Sequence, residues 1–270
     1  MRLDIMNELK ELHQFALSLA DSAREPAMGW FRHQPDIENK LLSGGFDPVT
    51  LADKNAEKSI RDKIEATYPL HGIRGEEFGE KSTNSPWVWV IDPIDGTRAY
   101  ISGLPVWGIL IALLYDGEPV LGLMDQPFTA ERFIGFADDA RLHHHGDVQS
   151  IKTRLCPELA QATISTTDPY LFSETEKIGF SQIREQSRLQ RYGLDCYAYC
   201  ALALGGVDLV LESGLQEYDI AALIPLVTAA GGQISSWSGN SAAKGGQILA
   251  TGDKRLHQQA LAILAPFAVS

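Results

Sequence analysis

The chain has 270 residues, enough for one large domain or two smaller ones with a sizeable buried core. Acidic residues outnumber basic ones 35 to 23, a formal charge of −12. That balance argues against a nonspecific nucleic-acid binder but not against an anionic substrate met through a cation. Three cysteines, Cys156, Cys196 and Cys200, suit a reducing compartment better than a disulfide framework.

No apolar run reaches the roughly 18 residues of a membrane span, and the N-terminus lacks a signal-peptide pattern. A cytoplasmic chain with no membrane partner is expected. Residues 5–33 predict an amphipathic helix with Leu9, Leu12, Ala16, Leu19 and Ala20 on one face and Pro26 and Gly29 near its end. A loop is expected over 35–50, then a helix over 53–67 with Ala56, Ile60 and Ile64 in register. Ile73–Glu76 begins a strand, and the apolar run Trp87–Ile91 reads as a buried one. A short helix follows, then strands at 106–114 and 120–124 around an Asp116-Gly117 turn, and a strand at 132–137. Residues 138–158 read as irregular. They separate an α+β half, 1–150, from an α/β half, 151–270. The second half predicts strand 162–167, helix 169–180, strand 187–192, helix 195–205, strand 207–212, helix 218–230, strands 232–237 and 246–251, and helix 253–265. Cys196 and Cys200 fall four apart on one of these helices and suit small core positions.

The chemistry concentrates in Asp92-Pro93-Ile94-Asp95-Gly96-Thr97, at the end of the apolar strand. Two carboxylates crowded there repel unless a cation neutralises them, and hard oxygen ligands suit Mg²⁺. Taken alone, the segment could also be a turn with solvated acids. Upstream stand Asp47-Pro48-Val49-Thr50-Leu51-Ala52-Asp53 and Gly75-Glu76-Glu77; downstream stand Glu217-Tyr218-Asp219 and Gly231-Gly232. Together, in this order, these segments resemble the inositol-monophosphatase superfamily of metal-dependent phosphatases.

The resemblance implies a layered αβαβα sandwich, a small phosphorylated metabolite as substrate, and a homodimer. It also implies two or three Mg²⁺ ions, with Mn²⁺ as a substitute. Glu76, Asp92 and the Ile94 carbonyl would hold one ion; Asp92, Asp95 and Asp219 would hold a second. Glu76 would take the proton of the attacking water, helped by the Thr97 hydroxyl. Asp53 would fix Thr97 or Lys40, and the Gly96 and Thr97 amides would cradle phosphate. Plainer roles compete: Asp53 as N-cap of a helix beginning at Lys54, Asp219 as a cap, Glu77 as a neighbour facing elsewhere. His143-His144-His145 reads as a solvated loop, and the Gly-Gly pairs as turns.

Within the superfamily, three features resemble the histidinol-phosphate phosphatase branch. They are Arg98 after the Asp-Gly-Thr, the stretch Gly193-Leu194-Asp195-Cys196-Tyr197-Ala198-Tyr199, and Glu212 before Gly214-Leu215-Gln216. Leu194 and Glu217 depart from that pattern. Arg98, Asp195 and Glu212 are the candidate substrate-selecting residues, the latter two for a cationic substrate. Their plainer readings are an N-cap for the 195–205 helix and an exposed acid at a strand end. An inositol-1-monophosphatase, a broad sugar-phosphate phosphatase and a noncatalytic relative of the same fold are the alternatives.

Overall fold

The structure, a computed structural model, describes residues 3–32, 37–39 and 48–269. In the first part of the chain α1 (Leu3–Met28) precedes β1 (Ile37–Asn39), β2 (Pro48–Thr50) and α2 (Leu51–Thr67). Then come β3 (Gly72–Gly75), β4 (Gly79–Lys81), β5 (Trp87–Asp95), α3 (Thr97–Ile101), β6 (Gly108–Tyr115), β7 (Glu118–Gln126), β8 (Glu131–Phe136), β9 (Asp139–His144) and β10 (Asp147–Ser150). The remainder gives β11 (Thr163–Thr166), α4 (Glu174–Gln186), β12 (Leu189–Tyr192), α5 (Tyr197–Ala203), β13 (Leu209–Leu215), α6 (Glu217–Ile220), α7 (Leu223–Ala229), β14 (Gln233–Ser236), β15 (Gly246–Thr251) and α8 (Lys254–Leu264).

Strands β3–β10 form an eight-stranded sheet in the order β10-β9-β8-β7-β6-β5-β3-β4, and β11–β15 form a five-stranded sheet in the order β12-β11-β13-β15-β14. Side-chain alternation along the strands sorts the apolar residues into three cores. Trp89, Ile91, Ile109, Ile111, Leu121 and Leu123 face α1 and α2, where the predicted stripes of both helices are buried. Val90, Leu110, Ala112, Met124 and Phe133 face the other way, onto α5 and α7, which also cover Val210, Ile248 and Ala250 of the smaller sheet. Leu209, Leu211 and Leu249 face α4 and α8. Helices, sheet, helices, sheet, helices: this is the layered sandwich expected.

One close approach sets the depth of the middle layer. A Cβ on Gly122 would lie 1.8 Å from the Ala222 carbonyl oxygen, and one on its cross-strand partner Gly135 would lie 2.5 Å from Leu226 Cα. Only glycine lets α7 rest this close to the sheet. The same contact draws α6, just before α7, down to the strand end that carries the acids.

Several element expectations are corrected. The 35–50 loop contains the paired β1 and β2, with Ile37 opposite Thr50; backbone pairing of three-residue strands leaves no mark in hydrophobic periodicity. Residues 139–150, read as irregular, form the β9–β10 hairpin at the sheet edge. All four residues of β10 are exposed, so no alternation marked it. The helix expected at 169–180 runs from Glu174 to Gln186, its start set by a Ser173–Glu176 capping box. The helix expected at 218–230 is two helices, because Pro225 has no N–H to give to the Ala221 carbonyl. Among the described residues no helix is long and apolar enough to cross a membrane.

Candidate active site

β5 delivers two acids to one side. Asp92 pairs with Leu110 and Asp95 with Gly108, so three steps on β5 match two on β6: a bulge. Without it, residues three apart would face opposite sides of the sheet. With it, both carboxylates face the middle layer. Asp219 approaches from that layer, at the third position of α6, oriented by the Gln216 amide donating to its Oδ2 at 2.6 Å. Carboxylate oxygens of Asp92, Asp95 and Asp219 lie within 4.8 Å of one another. The Ile94 amide donates to Asp92 Oδ1 at 3.1 Å, and the Cys196 amide donates to Asp95 Oδ2 at 2.7 Å.

Burial, then the charges of Glu76, Asp95, Asp219 and Asp53, push Asp92 well above the usual carboxylate range. Burial, then Asp195 and Asp219, do the same to Asp95, against the opposing Cys196 hydrogen bond. An all-oxygen donor set under this mutual repulsion fits a hard divalent cation. Glu76 follows β3, with its amide donating to the Ile91 carbonyl at 3.3 Å. Its charge bears strongly on Asp92, though it stands outside the tight group of three.

Other sequence-predicted residues fall as follows. Asp53 is buried inside the first turn of α2, which starts at Leu51, so it is not the N-cap of a helix beginning at Lys54. Lys40 lies outside the described residues. The Thr97 hydroxyl donates to the Ile94 carbonyl at 3.3 Å, and Gly96 opens α3 in the left-handed conformation at φ 85°. The three histidines close the β9–β10 hairpin rather than a free loop: His143 and His144 lie in β9, His145 and Gly146 in its turn. All three cysteines are buried and free. Leu194 packs against the middle core. Glu217 accepts from Arg74 Nη1 at 3.1 Å and from Lys244 Nζ at 2.7 Å.

A pocket of about 220 Å³ opens beside the acids, lined by Asp95, Thr97, Arg98, Asp195, Glu212 and Asp219 among others. Asp195 is not a helix cap: it sits left-handed at φ 46°, before α5. Burial pushes it up to about 6, against the pull of Arg98. Glu212 is not an exposed strand-end acid. It is 5% exposed and accepts from the Thr167 amide at 2.8 Å, the Thr167 hydroxyl at 3.0 Å and the Thr166 hydroxyl at 3.3 Å. Burial pushes Glu212 up to about 8 in spite of those bonds. Arg98 stands exposed at the mouth, 4.0 Å from Asp168.

Two contributors escaped the sequence reading. Thr167 orients Glu212 from a loop 45 residues away. Glu57, fully buried, accepts from the Glu77 and Phe78 amides at 2.7 and 3.2 Å and from Arg61 Nε at 2.7 Å, and so holds the turn that carries Glu76. Its signal was present: an acid standing in register with Ile60 and Ile64 on a buried helix face.

A model of the inositol monophosphatase family matches residues 8–266. The chain belongs to the inositol monophosphatase family. It is therefore a phosphatase of a metal-dependent family that acts on small phosphorylated metabolites, and the acidic cluster is where a metal could bind. The chain is 44% identical to the bifunctional phosphatase IMPL2 of Arabidopsis thaliana, over 93% of this chain and 75% of that one. It is 34% identical to a histidinol-phosphatase of Mycobacterium tuberculosis, over 91% and 95%. A solved inositol monophosphatase from Zymomonas mobilis superposes with a TM-score of 0.84 at 40% identity, covering 94% of this chain and 98% of that one. Relatives named for both substrates thus share the fold, and the choice between them falls to the pocket.

Proposed function

We propose that this chain is a Mg²⁺-dependent phosphate monoester hydrolase selective for histidinol phosphate. The observation that carries the substrate is the convergence of Asp195 and Glu212, two acids beyond the tight three-carboxylate group, on the pocket beside that group. A phosphate ester whose alcohol part carries an amine and an imidazole suits such acids.

Asp92, Asp95 and Asp219, with Glu76 and the Ile94 carbonyl, would hold the metal, which when bound supplies charge neutralisation for the phosphate and a lowered pKa for the attacking water. The chain's own groups do the rest. Glu76 accepts a proton from that water, and the Thr97 hydroxyl orients it. The Gly96 and Thr97 amides bind phosphate oxygens, while Asp53, inside the first turn of α2, fixes Thr97. Arg98 stands at the mouth, and Asp195 and Glu212 receive the cationic end of the alcohol.

One observation favours an inositol phosphate as the second reading. With its carboxyl pushed up to about 8 in the absence of substrate, Glu212 can hydrogen-bond an uncharged polyol as the acid, whereas a bound ammonium would hold it as the carboxylate. A noncatalytic role fits poorly with the assembled acids. Phosphate release from histidinol phosphate, inositol 1-phosphate, fructose 1,6-bisphosphate and adenosine 3′,5′-bisphosphate, with and without Mg²⁺, tests the assignment. Mg²⁺-dependent turnover greatest on histidinol phosphate is expected. Greater turnover of inositol 1-phosphate moves the second reading to first place.

A further inference from the structure

Tyr199 lies on α5 in the middle layer, 2% exposed, and lines the same pocket as Asp95, Glu212 and Asp219. Its hydroxyl is buried and has no hydrogen-bond partner among the described residues. Buried hydroxyls nearly always find one, and two other tyrosines in this protein do. The Tyr197 hydroxyl donates to Glu131 Oε2 at 2.8 Å, and the Tyr100 hydroxyl donates to the Ala27 carbonyl at 2.8 Å. Other orphaned side-chain atoms, such as those of Trp107, Ser165 and Gln233, belong to residues that do not line this pocket. After burial itself, Glu212 is the charge that bears most on the Tyr199 phenol, followed by Asp95 and Asp219. Tyr199 therefore lies near both the proposed recognition acid and the proposed metal ligands, in the wall of the pocket they share.

We propose that Tyr199 is a specificity-determining residue whose hydroxyl donates a hydrogen bond to an acceptor atom on the alcohol part of the substrate. The acceptor is a neutral ring nitrogen or a hydroxyl oxygen. The inference rests on the reading of this pocket as the substrate site, but not on which ester fills it. Glu212 and Asp195 read the positive end of the alcohol; Tyr199 reads an acceptor. An ester lacking that acceptor leaves the hydroxyl unpaired, which is how a buried polar group rejects an analogue.

Tyr199→Phe removes the hydroxyl and keeps the ring. The test measures KM and kcat on histidinol phosphate, inositol 1-phosphate and p-nitrophenyl phosphate, together with Tm in the absence of substrate. For whichever natural ester the wild type prefers, KM should rise about tenfold with kcat nearly held. The rise should be several times larger than that on p-nitrophenyl phosphate. Tm should stay level or increase, because an unpaired buried hydroxyl has been removed. A lowered Tm with equal losses on all three esters would mean that the hydroxyl supports the fold, and an unchanged KM on the preferred ester would mean that it touches no substrate. Either result overturns the inference. A wild type that prefers inositol 1-phosphate overturns the substrate assignment instead, and Tyr199 is then judged on that ester.

Discussion

Glu57 and Gly75 compete for one space: a Cβ on Gly75 would lie 2.0 Å from Glu57 Oε1. The buried carboxylate of α2 lies against the Gly75-Glu76-Glu77-Phe78 turn, accepts the Glu77 and Phe78 amides and is itself held by Arg61. Glycine is needed at 75 because only hydrogen fits over that carboxylate. A functional acid is thus positioned by a structural acid from another element.

Glu57→Gln should lower stability by about 1–3 kcal/mol, because an amide NH₂ would face backbone donors. It should also cut kcat about tenfold by loosening Glu76. Ile60→Val, on the same helix face, should cost a comparable ~0.5–1.5 kcal/mol without that loss of rate. Urea denaturation together with phosphate release separates the two effects. Equal kcat in both variants would remove the positioning role.

Activity should vanish when divalent ions are chelated and return with Mg²⁺ or Mn²⁺, since the donor set is all oxygen. Asp92→Asn should be the most damaging single change, as it removes the buried central charge. Asp219→Asn should chiefly raise the Mg²⁺ concentration needed, and Glu77→Gln should matter much less. Titrating rate against Mg²⁺ for each variant gives the order; wild-type turnover by Asp92→Asn at limiting Mg²⁺ would show the ligand set to be misassigned.

Asp195→Ala and Glu212→Ala should lose histidinol phosphate turnover by roughly ten- to a hundredfold each, the worth of an ammonium–carboxylate contact of about 1.5–3 kcal/mol. Much of the p-nitrophenyl phosphate hydrolysis should remain. Parallel losses on both esters would place these acids in folding or in shared catalysis.

The pH dependence of stability has a definite sign. Glu212 titrates at about 8 in the folded chain against an ordinary value of 4.5. Between those values the folded state binds the extra proton. The stabilising contribution is complete below about 4.5 and lost as pH rises through about 8. In metal-free protein, Tm of the wild type should therefore fall more steeply from pH 6 to 9 than that of Glu212→Gln. Identical slopes would mean that Glu212 is ionised at neutral pH even without a bound cation.

The sequence made some of this legible and hid the rest for physical reasons. The stripes of α1 and α2 were readable because one face of each helix is buried and the other is wet. Asp92, Asp95 and Asp219 were readable by their resemblance to a family pattern. The bulge that turns Asp92 and Asp95 to one side leaves no compositional trace, since it is a shift of register against β6. Glu212 ends an apolar run, and the threonines that bury it comfortably come from the far end of β11. The break between α6 and α7 was written in Pro225, but the apolar periodicity around it read as one helix.

A pocket that selects a cationic alcohol beside a phosphate-hydrolysing acidic site should discriminate between the two esters in one vessel. The most direct test is competition: an equimolar mixture of histidinol phosphate and inositol 1-phosphate with the wild-type chain and saturating Mg²⁺, followed by phosphorus NMR. Histidinol phosphate should be consumed first, by a ratio of at least about ten. Consumption of inositol 1-phosphate first, or of both at one rate, would contradict that selectivity.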